Sequence, residues 1–234
     1  MTRWLLPLSL AACVRGEAPA ATAAPAGPPP LFAHMVEHYA SLTTARDAVI
    51  RGDLAGASTE LVWLASHDPN ADLGGAAAGL VAGMKLEAGA IVAATTPSEA
   101  AHAVARTGAW CGRCHTQMGV RLQVDDTPPP GGDAVVAHMM RHRWVVDRLW
   151  EGLVAPSDAA WARGAAAMAE EAALSPAEVG HDAGRDHAVD VMARYIHEAG
   201  WSAEEAAAPE DRARVLGDLF AACADCHAET RKPR

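Results

Sequence analysis

The sequence predicts an all-α protein of two tandem four-helix units, on three observations. The 234 residues are rich in Ala and only 5% aromatic, a composition that favours helices over strands, which draw on aromatic and β-branched side chains. Apolar residues recur at spacings of three and four, and no segment alternates convincingly with period two. The third observation is a repeat. His34-Met35-Val36-Glu37-His38 returns as His138-Met139-Met140-Arg141-His142, and Cys111-Gly112-Arg113-Cys114-His115 returns as Cys223-Ala224-Asp225-Cys226-His227.

The chain begins with Arg3, a short apolar run and small residues, the form of a secretory signal too short to span a bilayer. Its end, Leu10-Ala11-Ala12-Cys13, resembles a bacterial lipobox. That resemblance implies a signal peptide over 1–12 and a lipid-bearing Cys13, anchoring the protein to a membrane outside the cytoplasm. Val14, not Asp, follows Cys13, which in Gram-negative lipoproteins resembles outer-membrane sorting. The stretch 13–30 is rich in Ala, Pro and Gly and reads as a semi-rigid tether.

The first unit is expected over 31–124. Its opening helix carries the stripe Met35, His38, Leu42, Ala45 and Val49 and ends at Gly52. Helices follow over about Ala55–His67 and Leu73–Ala94. The last begins at Pro97, with Thr96 and Glu99 in capping-box positions, and delivers CxxCH. Asp125 to Gly132, with three consecutive prolines, is a Pro/Gly linker over 125–132. The second unit, 133–234, repeats the plan. It has an opening helix ending at Gly152, helices over about Ser157–Ala173 and Gly184–Ala199, and a closing helix from Pro209. Ser175 to Glu178 has capping-box form, and Ser202–Ala208 is additional to the first half. On the second opening helix, Met139, His142, Val146, Leu149 and Leu153 continue the pentamer register. A rival register aligns His38 with His138, Asp47 with Asp147 and Gly52 with Gly152.

Two CxxCH motifs at equivalent places are the chemical signal. The pattern is the attachment signature of c-type haem. Cysteines three apart share a helix face and can each bond one vinyl group, while the adjacent His reaches the iron. Competing readings are disulfides and Cys/His half-sites for zinc, which would require both halves to converge. Only seven residues follow His227, so the second haem must be packed by residues upstream of the motif.

This arrangement resembles the class II cytochromes c, the cytochrome c′ group, which are four-helix bundles with CxxCH on the last helix. The resemblance implies two covalently bound haem c groups. Cys111, Cys114, Cys223 and Cys226 would be the thioether residues, and His115 and His227 the proximal iron ligands. The chain departs from the group in carrying histidines beside Met on the opening helices. His38 and His142 are the expected distal ligands, with Met35, Met139 and His138 as alternatives. His67 reads as a helix-end residue. His102, His181, His187 and His197 have no evident repeat partner and read as surface or helix-end residues, and Trp110 is expected to cover a haem edge.

The net charge of −10 argues against nucleic acid and suits a redox partner with a basic docking face. No paired carboxylates or Ser/His/Asp pattern suggests substrate chemistry. The expected function is therefore one-electron transfer by a dihaem c-type cytochrome, lipid-anchored in the periplasm or at the cell surface. The alternatives are an NO- or CO-binding sensor with an open haem, and a haem peroxidase. The five cysteines are then fully assigned, four to haem and Cys13 to lipid.

Overall fold

A computed structural model describes residues 30–67, 75–132, 135–170 and 183–230. Among these residues lie eight α-helices and no strand. They are α1 (Pro30–Ile50), α2 (Leu54–Ser66), α3 (Ala78–Ala93), α4 (Pro97–Gln117), α5 (Val135–Val154), α6 (Asp158–Glu170), α7 (Ala183–Glu205) and α8 (Pro209–Thr230); a 3₁₀ turn, Gly75–Ala77, leads into α3. The expected signal 1–12, Cys13 and the tether, apart from Pro30, lie outside the described residues. So do His181 and the Ser175 to Glu178 cap. No described helix is long and apolar enough to cross a membrane.

Local chemistry sets the helix ends. Gly52 takes φ +72° after α1, where a Cβ would be strained, and Asp53 then caps α2 by accepting from the Gly56 N–H at 2.9 Å. The expected capping box of α4 is present: Thr96 Oγ1 accepts from the Glu99 N–H, and Glu99 Oε2 accepts from the Thr96 N–H at 3.1 Å. Those bonds to Thr95 and Thr96 hold the Glu99 carboxyl below its ordinary pKa. Ser157 caps α6 through the Ala160 N–H at 3.2 Å.

Gly152 differs from expectation. It does not end α5, which runs on to Val154. A Cβ on Gly152 would lie 2.7 Å from the Trp161 backbone nitrogen, so the missing side chain lets the first turn of α6 close on α5. The stretch 202–208, additional to the first half, is helical in its first residues, which extend α7 to Glu205.

Each helix packs on its successor within its half, and α1 also touches α4 as α5 touches α8. The most extensive pairing, however, joins the halves: α4 lies along α8. His102 Nε2 meets Asp218 Oδ1 at 3.0 Å, and Arg113 pairs with Glu210, so the two helices run antiparallel. His102 is thereby an interhelical contact, contrary to the surface role expected for it. One apolar core, including Leu61, Val104, Leu149, Trp150 and Phe220, runs through both halves.

The opening helices also cross. Arg46, with 0% exposure, bonds Asp47 Oδ1 at 2.7 Å and Asp147 Oδ1 at 2.8 Å, and Arg143 reaches Asp47 and Asp147 at 2.8 and 3.1 Å. These pairs join α1 to α5 at one point, and they give the repeated Asp47 and Asp147 a role in the crossing itself. The Pro-rich linker is tied down: Trp144 donates to the Thr127 carbonyl at 2.9 Å, Arg148 to the Asp125 carbonyl at 2.8 Å, and Arg163 to Asp126 at 2.5 Å.

Candidate metal centres

The C-terminal turns of α4 and α8 carry the two CxxCH motifs. Spacing of three puts Cys111 near Cys114, and Cys223 near Cys226, on one helix face. All four are unbridged. Burial pushes the Cys111 and Cys223 thiols up to about 12, so both are protonated at neutral pH. The antiparallel pairing of α4 and α8 also places the two motifs at opposite ends of that pair. The nearest cysteines of the two motifs, Cys111 and Cys223, are about 18 Å apart along the axis at 1.5 Å per residue, so the motifs do not converge on a shared zinc ion.

Each motif histidine is held in the same way. His115 Nδ1 lies 2.7 Å from the Val154 carbonyl oxygen, and His227 Nδ1 lies 2.7 Å from that of Ile50. A carbonyl only accepts, so Nδ1 carries a proton, and in the neutral ring it is Nε2 that holds the lone pair. This is the tautomer a metal-ligating imidazole uses, fixed by its second nitrogen. Both acceptors are C-terminal carbonyls of opening helices, which have no partner within the helix.

The opening helices supply a second feature at each site. His34 and His38 on α1 and His67 at the end of α2 offer ligand atoms that all lie within 4.8 Å of one another; so do His138 and His142 on α5 with His197 on α7. In the first cluster His34 Nε2 and His67 Nε2 are 3.0 Å apart, and Trp63 stacks on His67 with centroids at 4.7 Å. His38 is 7% exposed, and its Nε2 has no hydrogen bond. In the second, His197 Nδ1 donates to the Met168 carbonyl at 3.0 Å, leaving a buried Nε2 without one.

Burial, with neighbouring histidines adding to it, lowers His38 to about 4; burial, then His138, His197, Arg141 and His227, lowers His142 to about 3. Both imidazoles are neutral at pH 7. The influence of His227 on His142 places the second cluster beside the second CxxCH motif. Ile50 ends α1 at the C-terminus of α8, and α4 runs antiparallel to α8, so the first turns of α1 lie toward the end that carries His115. Each cluster thus shares an end of the molecule with one motif.

The expected distal candidates separate by environment. His38 and His138 are buried, His142 and Met35 half-buried, while Met139 is 37% exposed. The equivalences His34 with His138, His38 with His142 and Ile50 with Val154 all follow the pentamer register. Trp110 packs against Gly83 on α3, with the Arg113 guanidinium 4.5 Å over its ring. His187 is exposed.

The sequence reading missed the third histidine of each cluster. His197 is buried rather than superficial, and His67 both ends α2 and joins the cluster. They come from non-equivalent helices, so no repeat alignment could pair them. No protein-family model, curated protein or solved structure matches the chain.

Proposed function

We propose that the protein is a lipid-anchored dihaem cytochrome of the c type that transfers single electrons outside the cytoplasm. The observation that carries this reading is the pair of Nδ1–carbonyl bonds, which orient His115 and His227 alike beside two unbridged cysteine pairs, with Cys223 buried and the other three half-buried. The donor set fits haem c. Cys111, Cys114, Cys223 and Cys226 hold the porphyrins, His115 and His227 are proximal ligands, and His38 and His142 are distal ligands. The halves are then tandem four-helix units resembling class II cytochromes, fused through α4 and α8.

When bound, the haem supplies the one-electron couple. The chain's own residues orient the proximal imidazoles through Val154 and Ile50, exclude water through the shared core, and keep His38 and His142 neutral by burial. Cys13 attaches the tether to a membrane, and the acidic surface docks a basic redox partner.

Optical and EPR spectra of the exported protein test this. Two covalently bound, low-spin ferric haems that refuse CO on reduction are expected. His38→Ala and His142→Ala should each convert one haem to high spin. Absence of covalent haem refutes the reading, and CO binding by the parent protein favours the open-haem sensor instead.

A further inference from the structure

Distal ligation uses one imidazole per site, yet each cluster holds three. The donor set is unusual for a core. His34, His38 and His67 stand against one another with ring centroids 4.4 to 5.9 Å apart, and His138, His142 and His197 stand 4.3 to 5.7 Å apart. In the first cluster the exposed Glu37 stands 4.0 Å from His34 Nδ1. A buried nitrogen without a hydrogen bond costs its desolvation, and the pattern appears in both clusters, at His38 Nε2 and His197 Nε2.

We infer that each cluster is a three-histidine binding site for a divalent transition metal in the haem-free chain, with the fourth position open to water. The inference stands on the clusters and does not rest on the haem reading. Tetrahedral bonds of about 2.05 Å put ligand nitrogens about 3.4 Å apart. The present separations, none above 4.8 Å, reach that by side-chain rotation. Imidazole donors select zinc, copper(II) or nickel over calcium and magnesium, which take oxygen.

The surroundings match. His197 donates Nδ1–H to the Met168 carbonyl, the outer bond that orients a ligating imidazole, and Trp63 braces His67 from one face. The two sites also reach the same donor number by different routes. Each has an i, i+4 pair on an opening helix, completed once from the end of α2 and once from the middle of α7. Because His38 and His142 serve both centres, metal and haem iron compete for them. The clusters would then hold the distal ends of the haem-free chain together until haem displaces the metal.

The test is a cobalt(II) titration of the full chain produced without haem, followed by visible absorption, with zinc added as competitor. Two tetrahedral cobalt ions per chain, released by zinc, are expected. His67→Ala and His197→Ala should each lower the stoichiometry to one, and the double variant to none, with circular dichroism reporting helix content throughout. A helical chain that binds no cobalt overturns the inference, as does binding that survives in the double variant. If the haem-free chain is unfolded, the readout is whether zinc restores its helical signal. Restoration lost in the double variant supports the sites, and no restoration overturns them. A missing cobalt spectrum leaves haem attachment to the exported protein untouched. A failure of haem attachment equally leaves the titration untouched.

Discussion

His227 Nδ1 donates to the carbonyl oxygen of Ile50, 177 positions earlier, and His115 makes the matching bond to Val154, 39 positions later. Each CxxCH histidine is thus oriented by the opening helix of the other half. The packing that seats those helix ends controls the imidazoles, and the close approach is made possible by glycine. A Cβ on Gly112 would collide with the Leu153 carbonyl. Gly112→Ala should therefore destabilise the chain by about 1–3 kcal/mol, the usual range for overpacking. The check is a lower urea midpoint at unchanged m-value and, in the proposed cytochrome, an optical spectrum altered more at the first haem than at the second.

Arg46 is the cation at the crossing of α1 and α5, fully buried between Asp47 and Asp147, with its guanidinium 5.6 Å over Trp150. Its removal takes away their buried partner and leaves both carboxylates to the half-exposed Arg143 alone. Arg46→Ala should cost about 3 kcal/mol, at the lower end for a broken buried pair because both carboxylates keep some solvent contact. Pairing it with Asp147→Asn should recover part of the loss. A double-mutant cycle in chemical denaturation measures that coupling, and strict additivity would show that the Arg46–Asp147 pair contributes nothing.

Acid should weaken the haem-free, metal-free chain through His38 and His142. Their folded values, about 4 and about 3, lie below the unfolded value of about 6.5. Between those limits the unfolded state binds the extra protons, so stability rises with pH. The contribution is complete above pH about 6.5 and is lost as pH falls toward 4 and then 3, at up to about 1.4 kcal/mol per pH unit per histidine. Urea denaturation at several pH values checks this. His38→Gln should reduce the acid slope, and an unchanged slope would show that His38 titrates normally.

The antiparallel arrangement of α4 and α8 separates His115 from His227 by about 30 Å along the helix axis, at 1.5 Å per residue. In the proposed cytochrome the EPR spectrum should be the sum of two independent signals. Cys223→Ser with Cys226→Ser should remove one signal and leave the other unshifted. Mutual broadening in the parent spectrum would contradict the spacing.

Local signals were read well and long-range ones poorly, for physical reasons. Thr96, Pro97 and Glu99 announce the start of α4 because a capping box is contained within four residues. Both CxxCH motifs fall on the last turns of long helices, as their spacing from Pro97 and Pro209 implied. Gly152 misled because its repeat with Gly52 resembled a shared helix stop. Its small size instead serves a contact with Trp161, a partner on the next helix. His67 and His197 escaped because the clusters form only when α2 meets α1 and α7 meets α5. The exchange of proximal contacts between the halves left no trace, since the acceptors are main-chain carbonyls, which any side chain at Ile50 or Val154 would present.

That exchange also gives the two sites different histories during synthesis. When His227 emerges from the ribosome, the carbonyl that orients it has existed for most of the chain's length. His115 emerges before its own partner and must wait for Val154 to be made and for α5 to fold against α4. A chain interrupted between the two halves would therefore carry a complete first CxxCH motif whose histidine lacks its anchor. The two histidine–carbonyl contacts are equivalent once made, but their assembly has a direction, with the first site finished by the second half.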